Sequence, residues 1–141
     1  MIELKEINNE KAILIGVIKF DTTEEKIHEN LLELELLAKT AGAEVIEKIT
    51  QKILKINPAT FIGKGKANEI IEKSKLLGVQ LIIFDDELSP AQIKNYHKLS
   101  DKIKVIDRSG LILDIFQKRA RTKEATTQVN LAYLEYLLPR L

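Results

Sequence analysis

Four neighbouring residues have the types and spacing that could bind a phosphate group: Gly63, Lys64, Gly65 and Lys66. Glycines let backbone N–H groups approach an anion, lysines add positive charge, and a helix N-terminus adds a positive potential. A Walker loop needs four residues between its glycines and a Ser or Thr after the lysine, and a dinucleotide fingerprint needs a third glycine where Asn68 stands. Two interpretations therefore stay open, a nucleotide site and a tight turn with solvated lysines, and the residues alone favour the turn.

Acidic residues form a second candidate group. Asp85, Asp86 and Glu87 follow a strongly apolar segment, and Asp107 follows the next one. If both segments are strands of a parallel sheet, these side chains lie at the carboxyl edge, where open α/β sheets bind ligands. Carboxylates suit a hard cation, so Asp85 and Asp86 are candidate magnesium ligands. The alternative, which we favour, is a polar turn that leads to a helix cap at Ser89.

A basic cluster near the C-terminus is the third candidate. It consists of Lys118, Arg119, Arg121 and Lys123. From residue 117 onward the chain has five basic residues against two acidic ones, a net charge of +3, which leaves −2 for the rest of the chain. Such a cluster at the bend between two helices could reach several phosphates, so Arg119, Arg121 and Lys123 are candidate RNA-binding residues. The alternative is a solvated loop.

No catalytic constellation is found in the sequence. His28 and His97 have no histidine or acid at ligand spacing, and Ser89 and Ser109 are best interpreted as helix caps. The chain contains no cysteine, which excludes a disulfide framework and a thiolate metal site. It also contains no complete P-loop, so we expect these residues alone not to hydrolyse GTP.

Composition favours one ordinary soluble domain. The chain has 141 residues, of which 45% are hydrophobic and 30% are charged, and its net charge is +1. The N-terminus lacks the pattern of a signal peptide, and no apolar run is long enough to cross a bilayer. We therefore expect a cytoplasmic protein.

Apolar segments and amphipathic segments alternate along the chain, which predicts an α/β fold with a parallel sheet of about four strands. The predicted strand order is 2-1-3-4. A short strand at 59–62 and a turn at 63–66 are predicted between the second strand and its helix. We expect an α/β domain at residues 1–108 and a helical hairpin at residues 109–141. The predicted main strands are 11–18, 45–53, 79–84 and 103–106.

The last predicted helix, about 123–138, is apolar on two sides. One stripe can pack on the preceding helix as a hairpin, while the other needs a partner. A missing domain or a homo-oligomer could supply it, and the alternative is that both stripes are buried against the α/β domain. The first stripe is Val129, Ala132, Tyr133, Tyr136 and Leu137, and the second is Leu131, Leu134 and Leu138.

Six segments, in order along nearly the whole chain, resemble the N-terminal half of the HflX GTPases. They are LLAKTAGA (36–43), FIGKGK (61–66), DDELSPAQ (85–92), DRSGLILDIF (107–116), RARTKE (119–124) and YLLPRL (136–141). Several motifs in the same order make a chance resemblance improbable.

The resemblance implies a ribosome-associated GTPase that binds the large subunit and helps split stalled ribosomes. It implies that a P-loop domain, which would carry GTP and magnesium, follows this region and covers the second apolar stripe. It also implies RNA contact, carried over here only to Arg119, Arg121 and Lys123. Finally, the resemblance implies that ATP is a candidate ligand at residues 63–66.

Overall fold

A computed structural model describes residues 7–141 as a four-stranded parallel sheet covered on both faces by helices. The strand order is β2-β1-β3-β4, which confirms the predicted α/β class and the predicted order. The strands are β1 (Lys11–Ile18), β2 (Glu44–Lys52), β3 (Leu81–Phe84) and β4 (Lys104–Asp107). The helices are α1 (Glu24–Thr40), α2 (Lys64–Leu77), α3 (Pro90–Leu99), α4 (Arg108–Arg119) and α5 (Lys123–Leu137), and a 3₁₀ turn covers Leu138–Arg140.

The core lies on the two faces of the sheet, because successive side chains of a strand point to opposite faces. Ile13 and Ile15 of β1 face α2 and α3, in a cluster that includes Phe84 and Tyr96. Ala12 and Leu14 face α1 and α4, in a cluster that includes Leu111 of α4. Strand β1, between β2 and β3, is therefore buried on both faces, as its continuous aliphatic run indicates.

The loop between β2 and α2 differs from the prediction, since residues 59–62 do not form a strand. The Asn57 side chain accepts hydrogen bonds from the N–H groups of Ala59 and Thr60, which folds the chain into a turn. Phe61 then adopts a φ of 67° and pairs with Asn57 in an isolated bridge. Residues 64–66, predicted as a turn, are already the first turn of α2. Hydrogen bonds from the backbone to the Asn57 side chain therefore take the place of strand pairing in this loop.

Helices α4 and α5 pack against each other, as the hairpin prediction requires. Helix α4 is also part of the sheet's core, because Leu111 and Ile115 are buried beneath the sheet face shared with α1. The division into residues 1–108 and 109–141 stays a prediction. Within residues 7–141, no helix combines the length and apolar character needed to span a bilayer.

Candidate functional site

The candidate sites lie at two opposite edges of the sheet. Because all four strands are parallel, the starts of α2 and α4 and the loop after β3 meet at the carboxyl edge. Helix α4 runs back to the other edge, where the Lys118 ammonium contacts the carbonyl oxygens of Ile7 and Ala41. Those two residues precede β1 and β2. Gly63 to Lys66 and the acidic residues are therefore at the carboxyl edge, and Arg119 to Lys123 is at the amino edge.

The candidate phosphate site is the N-terminus of α2. Gly63 is the N-cap residue and gives no side-chain cap, so the N–H groups of Lys64, Gly65 and Lys66 begin the helix uncapped. A Cβ atom built on Gly63 or Gly65 would meet no other atom within 4 Å. The side chain of Lys66 pairs with Glu69 at 3.4 Å, whereas Lys64 makes no ion pair with the described residues. The site is open and basic, and its backbone donors are accessible.

The candidate metal ligands already have cationic partners. Asp85 accepts from the Arg108 guanidinium, with its Oδ1 2.9 Å from Nε, and Asp86 pairs with Lys19 at 2.6 Å. Burial raises the pKa of Asp85, and the Arg108 charge offsets only part of that rise. In residues 7–141 no group of three acidic, histidine or cysteine side chains is close enough to hold a metal ion. The magnesium assignment stays a prediction from the sequence.

Asp107 has a structural role that the sequence did not reveal. It is fully buried and is the N-cap of α4, where its Oδ1 accepts from Gly110 N–H at 3.1 Å. Its other oxygen accepts from Leu88 N–H at 3.0 Å, and the Tyr136 hydroxyl donates to Oδ1 at 2.7 Å. Burial raises the pKa of Tyr136, which keeps the phenol protonated as a donor. Asp107, rather than Ser109, caps α4, and it links three elements.

The basic cluster divides into two kinds of residue. Lys118 is half-buried, because its ammonium lies 3.0 Å from the buried Asp114 carboxylate and also donates to two backbone carbonyl groups. Arg119, Arg121 and Lys123 are exposed, and none of them makes an ion pair with residues 7–141. The Arg121 guanidinium donates to the Lys118 carbonyl oxygen at 2.7 Å, which closes the bend between α4 and α5. No carboxylate of the described residues neutralises the three predicted site residues, although Arg121 is held by a backbone carbonyl group, and Lys118 is a structural residue.

The two apolar stripes of α5 have different environments. Tyr133 is buried, and the other members of its stripe are half-buried. Leu131 and Leu138 of the second stripe are about half exposed, while Leu134 is partly covered. Helix α5 therefore packs one side on this chain and presents part of the other side to solvent.

Comparison with known proteins identifies the family. The model of the GTP-binding GTPase N-terminal family matches residues 28–117. The chain is 50% identical over its whole length to the HflX GTPase of Flavobacterium psychrophilum and covers 34% of that protein. It is 45% identical over 94% of its length to the HflX GTPase of Escherichia coli and covers 30% of it. The chain thus spans about a third of the length of the curated relatives it matches.

Solved structures give the same result. A GTP-binding protein from Sulfolobus solfataricus, in complex with GDP, superposes with a TM-score of 0.70 at 26% identity, over 93% of this chain and 38% of that one. A structure described as the SsGBP–GDP complex has a TM-score of 0.71 at 27% identity, over 94% of this chain and 36% of that one. Since the family model covers most of the chain, the chain belongs to the GTP-binding GTPase N-terminal family, as the N-terminal region of an HflX-type protein.

Proposed function

We propose that this chain is the ribosome-binding N-terminal region of an HflX-type GTPase, and that Arg119, Arg121 and Lys123 contact RNA of the large ribosomal subunit. The longer protein is proposed to be a cytoplasmic GTPase that helps split or rescue stalled ribosomes. GTP and magnesium would bind in a part of that protein outside residues 1–141. The relationship to HflX GTPases supports this proposal.

The exposure of the three basic side chains is the observation that carries the RNA contact. Their charges are unneutralised by the described residues, and they lie together at the bend between α4 and α5. The bend is fixed by the Thr122 side chain, which caps α5 by accepting from Ala125 N–H at 3.0 Å. A fixed, exposed basic turn can approach the phosphates of folded RNA without first being ordered.

Charge reversal of the three residues tests the proposal. The variant Arg119→Glu/Arg121→Glu/Lys123→Glu should bind isolated large subunits more weakly. The slope of log affinity against log salt concentration should fall by about 2–3 units, since each lost phosphate contact removes ~0.7–0.9. The measurement is co-sedimentation with large subunits over a range of salt concentrations.

The control variant Lys26→Glu/Lys75→Glu/Lys94→Glu carries the same charge change at three exposed positions on α1, α2 and α3. It should retain most of the affinity and the salt slope. If both triple variants bind as the unmodified chain does, the RNA assignment at the α4–α5 bend is wrong. Circular dichroism confirms that each variant is folded.

A second candidate function is adenine-nucleotide binding at Gly63, Lys64, Gly65 and Lys66. The observation in its favour is the uncapped N-terminus of α2, where neither glycine is needed for packing. A glycine in the first turn of a helix reduces stability relative to alanine by up to about 1 kcal/mol. Glycine at these open positions gives no packing benefit, but it does leave the backbone donors accessible to a phosphate.

The exposed stripe of α5 is the proposed contact for the GTPase domain of the longer protein. Leu131 and Leu138 form an apolar surface that residues 7–141 leave about half exposed. A domain that follows in the same polypeptide is held at high effective concentration, so a small apolar contact suffices to dock it. Self-association of the chain through the same stripe is the alternative partner proposal.

A further inference from the structure

The loop after β3, residues 85–88, is held by the start of α4. Three residues of the loop form hydrogen bonds to three consecutive residues, 107–109. The pairs are Asp85 with Arg108 at 2.9 Å, Glu87 with Ser109 at 2.6 Å, and Leu88 with Asp107 at 3.0 Å. The conformation of the loop therefore depends on the side chains at the start of α4.

The same loop closes the crevice at the carboxyl edge of the sheet. In the order β2-β1-β3-β4 the crossovers reverse direction between β1 and β3, and open α/β sheets bind ligands at such a point. Lys19 follows β1 and Asp86 follows β3, and their side chains form an ion pair at 2.6 Å across this crevice. Displacement of the loop would separate the pair and open the crevice.

Helix α5 is connected to this loop through one buried carboxylate. The Tyr136 hydroxyl donates to Asp107 Oδ1 at 2.7 Å, and Oδ2 of the same carboxylate accepts from the Leu88 N–H. Asp107 is fully buried, so a departing donor would leave a buried charge with fewer hydrogen bonds. Rotation of the carboxylate toward water would restore its hydrogen bonds. Because the group is planar and rigid, that rotation would also move Oδ2 away from the Leu88 N–H.

The contact between α5 and the rest of the chain is loosely packed. Of the 15 residues of α5, all within the described part of the chain, only Tyr133 is buried. A cavity of about 60 Å³ lies between α5 and β4, with Val105 and Leu137 among its lining residues. Just beyond α5, the Arg140 Nε atom is buried but makes no hydrogen bond to residues 7–141. Voids and unsatisfied buried donors both weaken docking, so α5 can leave its position at a lower cost than a core helix.

We propose that α5 is a latch on the carboxyl-edge crevice. While α5 is docked, Tyr136 and Asp107 hold residues 85–88 closed, and displacement of α5 releases the loop and opens the crevice. Tyr136 is a positioning residue, since it acts through Asp107. A partner that binds α5 more tightly in its displaced position drives the opening, because a ligand shifts an equilibrium by its difference in affinity for the two states. The latch requires neither the proposed RNA contact nor the proposed nucleotide contact.

Removal of one hydroxyl group tests the latch. Tyr136→Phe keeps the aromatic ring and removes only the donor to Asp107. Amide hydrogen exchange, detected by NMR, reports the opening of each hydrogen bond at a single residue. The Leu88 amide should exchange roughly two- to tenfold faster, as expected for the loss of about one net hydrogen bond. The Ser89 amide, which donates to Gln92 in the capping box of α3, should be unchanged.

Tyr96→Phe is the matched control. The Tyr96 hydroxyl also donates over 2.7 Å from a buried ring, but it donates to the Thr60 carbonyl oxygen and not to Asp107. This variant should leave the exchange rate of the Leu88 amide as it is in the unmodified chain. The Leu14 amide, in the central strand β1, reports global unfolding and corrects both variants for a change in overall stability.

Gly110→Ala displaces Tyr136 in a second way, because a Cβ atom at position 110 would lie 2.6 Å from the Tyr136 hydroxyl oxygen. It should accelerate exchange of the Leu88 amide in the same direction. If the Leu88 amide exchanges at the unmodified rate in either variant, the proposal is overturned. Equal acceleration of the Leu88, Ser89 and Leu14 amides would also overturn it, since that result indicates general destabilisation rather than release of one loop.

Discussion

Lys118 and Arg119 are neighbouring basic residues with different roles. Lys118 is structural because its partner carboxylate is buried, whereas Arg119 has no such partner among the described residues. Lys118 and Arg119 are adjacent at the end of α4. The Lys118 ammonium forms an ion pair with Asp114, which is only 2% exposed. The Arg119 side chain is exposed to solvent. Both residues were placed in one basic cluster because residue type alone does not show which side chain turns toward the core and which turns toward solvent. The spacing of four between Asp114 and Lys118 was the signal that could have separated them.

Replacing Lys118 by methionine should destabilise the chain by about 2–4 kcal/mol, because it leaves the Asp114 carboxylate buried without its cation. The Lys118 side chain is 26% exposed, so solvent weakens the pair and the lower part of that range is expected. The matched change Arg119→Met should alter the unfolding free energy by less than about 0.5 kcal/mol. Urea denaturation at neutral pH measures both.

Equal and small losses for the two variants would show that Asp114 does not depend on Lys118. The Asp114 Oδ1 atom also accepts from Ile7 N–H at 3.0 Å, and that bond remains in the variant. A large loss at Lys118 alone would confirm the separation of structural and surface charge within the cluster.

Helix ends show what could be predicted from single residues and what could not. Ser89, Pro90 and Gln92 predict a capping box, and both reciprocal hydrogen bonds are present at 3.1 and 2.8 Å. The helix start near Arg108 was predicted correctly, but its cap was wrongly assigned to Ser109, which lies inside the first turn. Asp107 is the cap because its position at the end of β4 buries its carboxylate among three donors.

At the scale of elements, α5 is held to the sheet by a close contact between one side chain and one glycine. Tyr136 crosses α4 at Gly110 to reach Asp107, and a Cβ atom at Gly110 would lie only 2.6 Å from the Tyr136 hydroxyl oxygen. The Arg140 guanidinium lies 3.9 Å above the centre of the Tyr136 ring. Periodicity predicted a packed stripe on α5, but this contact depends on the approach of two helices, which periodicity does not specify.

Gly110→Ala should therefore destabilise the chain by about 1–3 kcal/mol through overpacking against Tyr136. In a Tyr136→Leu background the same change should cost much less, since the shorter side chain leaves room for the methyl group. A double-mutant cycle from urea denaturation gives the coupling free energy directly.

Gly65→Ala supplies the contrast for the same chemical change. Gly65 lies in the first turn of α2 and has nothing within 4 Å of a built Cβ, so alanine should be neutral or stabilise by up to about 1 kcal/mol. If Gly110→Ala also leaves the unfolding free energy unchanged, Tyr136 of α5 does not pack closely against Gly110 in solution.

The order of elements and of strands was predictable, because alternating apolar strands and amphipathic helices with right-handed crossovers permit few topologies. The loop from residue 53 to residue 63 was not. Its shape depends on distant partners, since the side chains of Gln92 and Asn95 hold the carbonyl groups of Asn57 and Ala59. Local sequence alone contains no information about those contacts.

At the scale of the whole molecule, the two proposed anion sites are separated by the length of α4. That helix has twelve residues and runs from the carboxyl edge to the amino edge, a rise of about 18 Å. Charges more than about 8 Å apart are largely screened at physiological ionic strength. The RNA-binding and nucleotide-binding candidates should therefore act independently in this chain.

Calorimetry with ATP and magnesium tests both the nucleotide proposal and this independence. The chain should bind ATP, and Lys64→Ala/Lys66→Ala should weaken binding at least about tenfold, because each lysine lost from a phosphate contact costs on the order of 1 kcal/mol or more. Arg119→Glu/Arg121→Glu/Lys123→Glu should bind ATP as the unmodified chain does. Absence of heat at millimolar ATP would contradict the nucleotide proposal and leave the RNA proposal intact. A loss of ATP binding in the charge-reversed variant would instead show that the two edges are coupled, which screening over this distance does not allow unless α4 itself moves.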